Sequence, residues 1–130
     1  MRAVGDGPGA ERLVLVVDDD ADLVQILTDR LEVAGYRVLT AGDGVEALDR
    51  LESARPACVI LDLKMPRLGG LDALLRIRRA APDAYVIVLT GSPNRPLAEE
   101  CRARGAHDFL LKPFEAGELL RRLARAFARD

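Results

Sequence analysis

Four short runs of this chain end in groups able to do chemistry. Leu13–Val17 runs into Asp18-Asp19-Asp20, Cys58–Leu61 into Asp62, Tyr85–Leu89 into Thr90, and Asp108–Leu111 into Lys112. If those ends share one edge of a sheet, carboxylates, a hydroxyl and an ammonium meet in one crevice. Two carboxylates ~4 Å apart repel by about 4 kcal/mol at an effective dielectric near 20, so such a cluster calls for a cation. Few protein oxygens, with positions left for water and phosphate, favour Mg²⁺ over a dedicated Ca²⁺ cage, with Mn²⁺ able to substitute. The set suits phosphoryl transfer: a carboxylate attacks phosphorus, the metal neutralises the equatorial oxygens, and Lys112 and Thr90 hold the remainder. Asp62 is the preferred nucleophile, because it stands alone while Asp18 and Asp19 are paired. Its product would be an acyl phosphate.

The elements that must deliver these groups are legible in the periodicity. The runs named above, together with Arg37–Thr40, are β-branched or apolar, and each is followed by apolar residues at helical spacing. Leu23, Ile26, Leu27 and Leu31 mark a first helix beginning near Ala21, with Asp20 as its N-cap and Gly35 as its stop. Asp43-Gly44-Val45-Glu46 carries a capping-box pattern and opens a second helix with Ala47, Leu48 and Leu51. Leu71, Leu74, Leu75 and Ile77 define a third, and Leu119, Leu120, Leu123 and Phe127 a fifth. The fourth is short, predicted to start with Pro96 at its first position and to end before Gly105. Nearly all-apolar strands alternating with helices predict a parallel sheet covered on both faces, an open doubly wound α/β domain whose ligand site lies beyond the carboxyl ends of the strands.

Composition bounds the rest. At 130 residues, 49% hydrophobic and 31% charged, the chain makes one domain, and the formal net charge of -2 advertises no nucleic-acid partner. No apolar run approaches the ~20 residues needed to span a bilayer. Residues 1–11 lack the core of a signal peptide and read as a flexible polar lead-in, so a cytoplasmic location is expected. Cys58 and Cys101 have no partner motif and a single histidine accompanies them, which excludes a zinc site and leaves both as buried small hydrophobes.

Four stretches together resemble the receiver domain of bacterial two-component response regulators. They are Val16-Val17-Asp18-Asp19-Asp20, Val59 to Gly70 with its Leu61-Asp62-Leu63-Lys64-Met65-Pro66 core, Val88-Leu89-Thr90-Gly91, and Gly105 to Phe114 with Leu111-Lys112-Pro113-Phe114. The intervals from Asp19 to Asp62, Asp62 to Thr90 and Thr90 to Lys112 are 43, 28 and 22 positions, typical of that family. The resemblance implies a flavodoxin-like (βα)5 domain over residues 12–129, with five parallel strands in the order 2-1-3-4-5. It implies that Asp62 accepts phosphate from a sensor histidine kinase or phosphotransfer protein. Asp19, Asp62 and the backbone carbonyl of Lys64 would ligate Mg²⁺, with Asp18 acting through metal-bound water. Thr90 and Phe109 would be switch residues, Lys112 would pair with the phosphate, and the Lys112-Pro113 peptide would be cis. The changed face of the fourth helix, fifth strand and fifth helix would meet a downstream protein, an effector domain that this sequence does not contain, or a second copy in a phosphorylation-dependent dimer. Neither membrane nor nucleic acid is an expected partner.

Plainer readings stand beside these. Thr90 or Lys112 alone would be an ordinary strand-end residue. Phe109 read from sequence alone is equally a fixed core aromatic. His107 is expected to face solvent, and Arg121, Arg122, Arg125 and Arg129 to form the solvated face of the last helix. Gly69 replaces a residue that is commonly polar or acidic, while the Ser92-Pro93-Asn94-Arg95-Pro96 segment departs more from the family and bears on the output face. Lys64 and Ser92 flank the path of an attacking water and would set the lifetime of a phosphorylated state. An enzyme acting on outside substrates is disfavoured, because aspartyl phosphatases carry a second acid where Lys64 stands. A flavin protein is disfavoured because the acids after Val17 would repel the flavin phosphate. The alternative that remains is a receiver-like docking module independent of phosphorylation.

Overall fold

The computed structural model describes residues 12–64, 69–91 and 95–128. Residues 1–11, 65–68, 92–94 and 129–130 lie outside the described residues, and with them the expected lead-in, Ser92-Pro93-Asn94 and Arg129. Strands β1 (Leu13–Val17), β2 (Arg37–Ala41), β3 (Cys58–Asp62), β4 (Tyr85–Thr90) and β5 (Asp108–Leu111) alternate with helices α1 (Ala21–Val33), α2 (Gly44–Leu51), α3 (Gly70–Ala80), α4 (Arg95–Ala103) and α5 (Ala116–Phe127). All strands are parallel, in the order β2-β1-β3-β4-β5. This is the expected doubly wound flavodoxin-like arrangement.

The strands are apolar throughout because both faces of the sheet are covered. Leu15, Val17, Val59, Leu61, Val86 and Val88 pack with Ala47, Leu74, Ile77 and Cys101 beneath α2, α3 and α4. Their alternate neighbours Val14, Val16, Cys58, Ile60, Ile87 and Leu89 pack with Leu27 and Leu31 of α1 and Leu119 and Leu123 of α5. A slip of one residue would send every strand side chain to the opposite helical layer, so the side-chain sizes on the two faces fix the register. Both cysteines are buried, as expected.

Helix ends follow the sequence signals with small departures. Asp20 caps α1 by accepting from the amides of Asp22 and Leu23 at 3.1 Å each. Asp43 caps α2 by accepting from Glu46 at 2.8 Å, but Glu46 returns to the amide of Gly42 at 2.6 Å rather than to that of Asp43. Helices α1 and α4 both close with a left-handed glycine, Gly35 at φ 98° and Gly105 at φ 107°. In each the next amide reaches back into the last turn, Tyr36 to Leu31 at 3.0 Å and Ala106 to Cys101 at 2.9 Å. Helix α4 begins at Arg95, one residue before the expected Pro96. A proline is tolerated there because first-turn amides have no intrahelical acceptor. Strands β2, β3 and β4 each run one residue beyond expectation, to Ala41, Asp62 and Thr90. The ladder therefore reaches the functional side chains and holds their backbones.

Of two surface expectations, one holds with an added contact and one needs correction. His107 is exposed, yet its Nδ1 accepts from the Val86 amide at 3.0 Å and its ring stacks on Tyr85 with centroids 4.8 Å apart. Arg122 is half-buried: its Nε donates to Glu118 at 2.8 Å and its Nη1 pairs with Asp108, whereas Arg121 and Arg125 are exposed as expected. Periodicity places a residue on a helix face but cannot show that a carboxylate of β5 waits beside it.

The loop leaving β3 is set by one close approach. A Cβ at Gly70 would lie 2.2 Å from the carbonyl oxygen and 2.6 Å from the Cα of Leu63, whereas at Gly69 nothing lies within 4 Å. Helix α3 thus starts against the backbone that has just carried Asp62, a fit only glycine allows. Gly70→Ala is expected to lower stability by about 2 kcal/mol, as overpacking against rigid backbone does. Gly69→Ala should stay within about 0.5 kcal/mol of the parent, as exposed substitutions do. Urea denaturation of the two variants makes the comparison.

Candidate functional site

The strand order puts β1 and β3 side by side at the middle of the sheet, so Asp18 and Asp62 emerge at the same edge. The Asp18 amide donates to the Ala41 carbonyl at 3.0 Å, which carries the β1–β2 ladder one step past the strand and fixes where the acids begin. Both oxygens of Asp18 are engaged: Oδ1 accepts from the Asp20 amide at 3.0 Å, and Oδ2 faces Lys112 Nζ at 3.2 Å. The same ammonium lies 3.3 Å from Asp62 Oδ1. Asp62 also accepts from the backbone N–H of Lys64, whose own side chain is exposed.

Asp18, Asp19 and Asp62 each offer a carboxylate oxygen within 4.8 Å of the others. Asp18 and Asp62 are buried, 2% and 4% exposed, while Asp19 is exposed and opens the cluster to solvent. Thr90, 5% exposed, ends β4 one step past Leu89, the residue that faces Asp62 across the ladder. Its carbonyl accepts from the Lys112 amide at 2.7 Å, so the end of β4 seats the base of the lysine. The Lys112-Pro113 peptide is cis, as expected. Phe109 is partly buried and packs against the core layer under α2, α3 and α4.

The electrostatics follow from this crowding. Burial first, and Asp18 second, push the Asp62 carboxyl above its ordinary value of 3.8, against the opposing pull of Lys112 and the Lys64 amide. Burial works to lower Lys112, but Asp18 and Asp62 outweigh it and the ammonium ends above its ordinary value of 10.5. One firmly protonated lysine therefore faces two buried acids, with Asp19 beside them. The donor set is all hard oxygen with excess negative charge, which fits a divalent cation of the Mg²⁺ or Ca²⁺ type and not a soft metal.

The sequence-predicted residues Asp18, Asp19, Asp62 and Lys112 are brought together, and Thr90 lies on the adjoining strand end. Asp20 stands apart as the helix cap. Two contributors escape sequence reading: the Lys64 amide, because any residue carries one, and Gly70, whose requirement is set by the Leu63 backbone lying against it.

Comparison with known proteins agrees with this geometry. A family model described as the response regulator receiver domain matches residues 14–124. Response regulator MprA of Mycobacterium avium is 42% identical over 110 residues, covering 85% of this chain and 48% of the relative. The chain thus spans about half the length of the curated relatives it matches. The chemotaxis protein CheY4 of Vibrio cholerae superimposes with a TM-score of 0.84 at 34% identity, over 90% of this chain and 99% of that one. A response regulator protein from Burkholderia pseudomallei, solved with a phosphorylated aspartic acid, a calcium ion and citrate, gives a TM-score of 0.82 at 29% identity, covering 88% of this chain and 68% of that one. With that family model matched over residues 14–124 and the sheet order shared with such neighbours, the chain belongs to the response regulator receiver domain family.

Proposed function

We propose that this domain is a phosphorylation-controlled signalling switch in which Asp62 accepts a phosphoryl group from the phosphohistidine of a sensor histidine kinase or phosphotransfer protein. The single observation that carries the reading is the sharing of Lys112 Nζ between the buried carboxylates of Asp18 and Asp62, with Asp19 open to solvent beside them. Asp18 is a poor nucleophile because both its oxygens are held. Asp62 is the better one: it is braced by Lys112 and Lys64, and the metal-free crowding that lifts its proton affinity is relieved when a cation enters.

Asp19, Asp62 and the Lys64 carbonyl would hold Mg²⁺, with Asp18 contributing through water and Mn²⁺ able to replace it. When bound, the metal supplies positive charge that offsets the phosphoryl oxygens. A carboxylate oxygen of Asp62 attacks phosphorus, the phosphorus–nitrogen bond breaks, and its electron pair returns to the donor imidazole, which takes a proton. Lys112, already 3.3 Å from Asp62 Oδ1, would exchange part of that contact for a phosphoryl oxygen. The Thr90 hydroxyl would turn toward the same group, and Phe109 would follow behind it. Phosphorylation then shifts an existing equilibrium of the α4–β5–α5 face, which meets a downstream protein or a second copy. The domain catalyses only reactions of its own phosphoryl group.

With an acyl-phosphate donor and Mg²⁺, radiolabel should enter the wild-type domain and fall to background in Asp62→Asn and on chelation. An unlabelled wild type that still bound its partner would favour the docking module instead. In chelator, Lys112→Met is expected to cost about 2 kcal/mol, less than a fully buried pair because the lysine is partly exposed, and added Mg²⁺ should restore part of it. Because folding raises the Asp62 pKa, the folded state binds that proton more tightly, so this group's contribution to stability is lost as pH rises from about 4 through the raised value. Asp62→Asn in chelator at pH 7 should therefore hold or raise the thermal midpoint, and a fall of more than ~5 °C would contradict the crowding.

A further inference from the structure

The amide of Val86, at the second position of β4, donates to an imidazole nitrogen rather than to a backbone carbonyl. The reason lies in the preceding turn. Helix α4 closes at Gly105 in the left-handed conformation, and the chain becomes strand only at Asp108. The His107 amide already donates to the Val86 carbonyl at 2.9 Å, and the His107 ring folds back so that Nδ1 stands where a carbonyl of β5 would otherwise continue the ladder. Stacking on Tyr85 at 4.8 Å and 20° holds the ring in that plane. One residue thus makes both hydrogen bonds that start the β4–β5 pairing, and one of the two acceptors titrates.

We propose that His107 is a proton-sensitive latch on β5: with Nδ1 unprotonated and the hydrogen on Nε2 it closes the first rung of the β4–β5 ladder, and protonation of Nδ1 opens it. A protonated imidazole has two donors and no acceptor, so it cannot face an amide N–H. The ionisable groups of the surrounding elements include Tyr85, Arg104, Arg78, Asp108 and Asp83. Tyr85 stacks on the ring, with the two planes 20° apart. Arg104 of the α4 turn pairs with Glu100 at 2.9 Å and reaches Asp72 at 3.6 Å. Arg78, packed against Gly105, donates to the carbonyls of Ala81, Pro82 and Ala84. Asp108 accepts from the Phe109 amide at 2.8 Å and pairs with Arg122. Asp83 lies in the turn before β4. The strand so latched has four residues and carries Phe109, with Lys112 directly after it. Protonation would therefore loosen the far end of the strand that leads to the site.

Amide exchange measured by NMR on the whole chain between pH 7.5 and 5.5 tests this, with protection factors correcting for intrinsic exchange. In wild type the Val86 protection factor should fall about three- to tenfold as the pH is lowered, the weight of one hydrogen bond. His107→Asn places a side-chain carbonyl oxygen where Nδ1 stood and should remain protected at both pH values. His107→Phe keeps the stack but has no acceptor and should be weakly protected at both. A pH-independent Val86 amide in wild type, or an unchanged pH dependence in His107→Asn, overturns the proposal. Should His107→Phe fail to fold, the wild-type and His107→Asn pair decides the matter alone.

Discussion

Two buried carboxylates share one ammonium, and the rest of the domain is arranged around that imbalance. Lys112 lies 3.2 Å from Asp18 and 3.3 Å from Asp62, while Asp19 adds a third acid within 4.8 Å. At an effective dielectric near 20, a pair of charges ~4 Å apart exchanges about 4 kcal/mol, so each contact with the lysine is offset by repulsion between the acids it holds. The opposite directions in which burial and charge act on Asp62 and Lys112 express the same frustration. A site left with excess negative charge at its mouth is poised to gain from a divalent cation, and with a phosphoryl group added the lysine acquires a second kind of partner. The lysine is thus a counter-charge to both acids, and under the proposed phosphorylation it would also become a ligand for the phosphoryl group.

Such a cluster can be held only by a scaffold whose own stability does not depend on it. The strands meet that condition by burying apolar residues on both faces, twelve of which in β1, β3 and β4 are wholly inaccessible. A fully buried aliphatic side chain contributes about 1.5–3 kcal/mol relative to exposure, so a few of these outweigh the electrostatic cost at the strand ends. The parallel order then does the positioning. It brings Asp18, Asp62, Thr90 and Lys112 to one edge although the first and last are 94 positions apart in the chain.

Much of this was legible in the sequence because the same physical fact writes both. An apolar run that must stop at a sheet edge ends in a polar residue, so strand ends and candidate functional groups coincide in the text. The caps at Asp20 and Asp43 and the glycine stops at Gly35 and Gly105 were legible for a related reason, since each depends on contacts within a few residues. What escaped depends on distant backbone. Nothing local announces that Leu63 lies 2.2 Å from a Cβ position at Gly70, that Arg122 meets Asp108, or that His107 reaches Val86. Lys64 shows the same limit: its side chain and its carbonyl carry the expectations, while its amide makes the contact with Asp62.

Strand β5 is where local weakness and site chemistry meet. It is a four-residue edge strand, paired on one side only, and Leu111 remains 41% exposed beside it. Its backbone is secured to β4 at both ends, by His107 on Val86 and by Lys112 on Thr90, while Asp108 ties its outer side to Arg122 of α5. An element held by so few hydrogen bonds opens at lower free energy than the buried centre of the sheet. Yet it positions the only ammonium, among the described residues, in contact with both buried acids. Any change of charge around Asp62 is therefore passed to a short edge strand. A central strand buried at all five positions, as β3 is, could not move in answer.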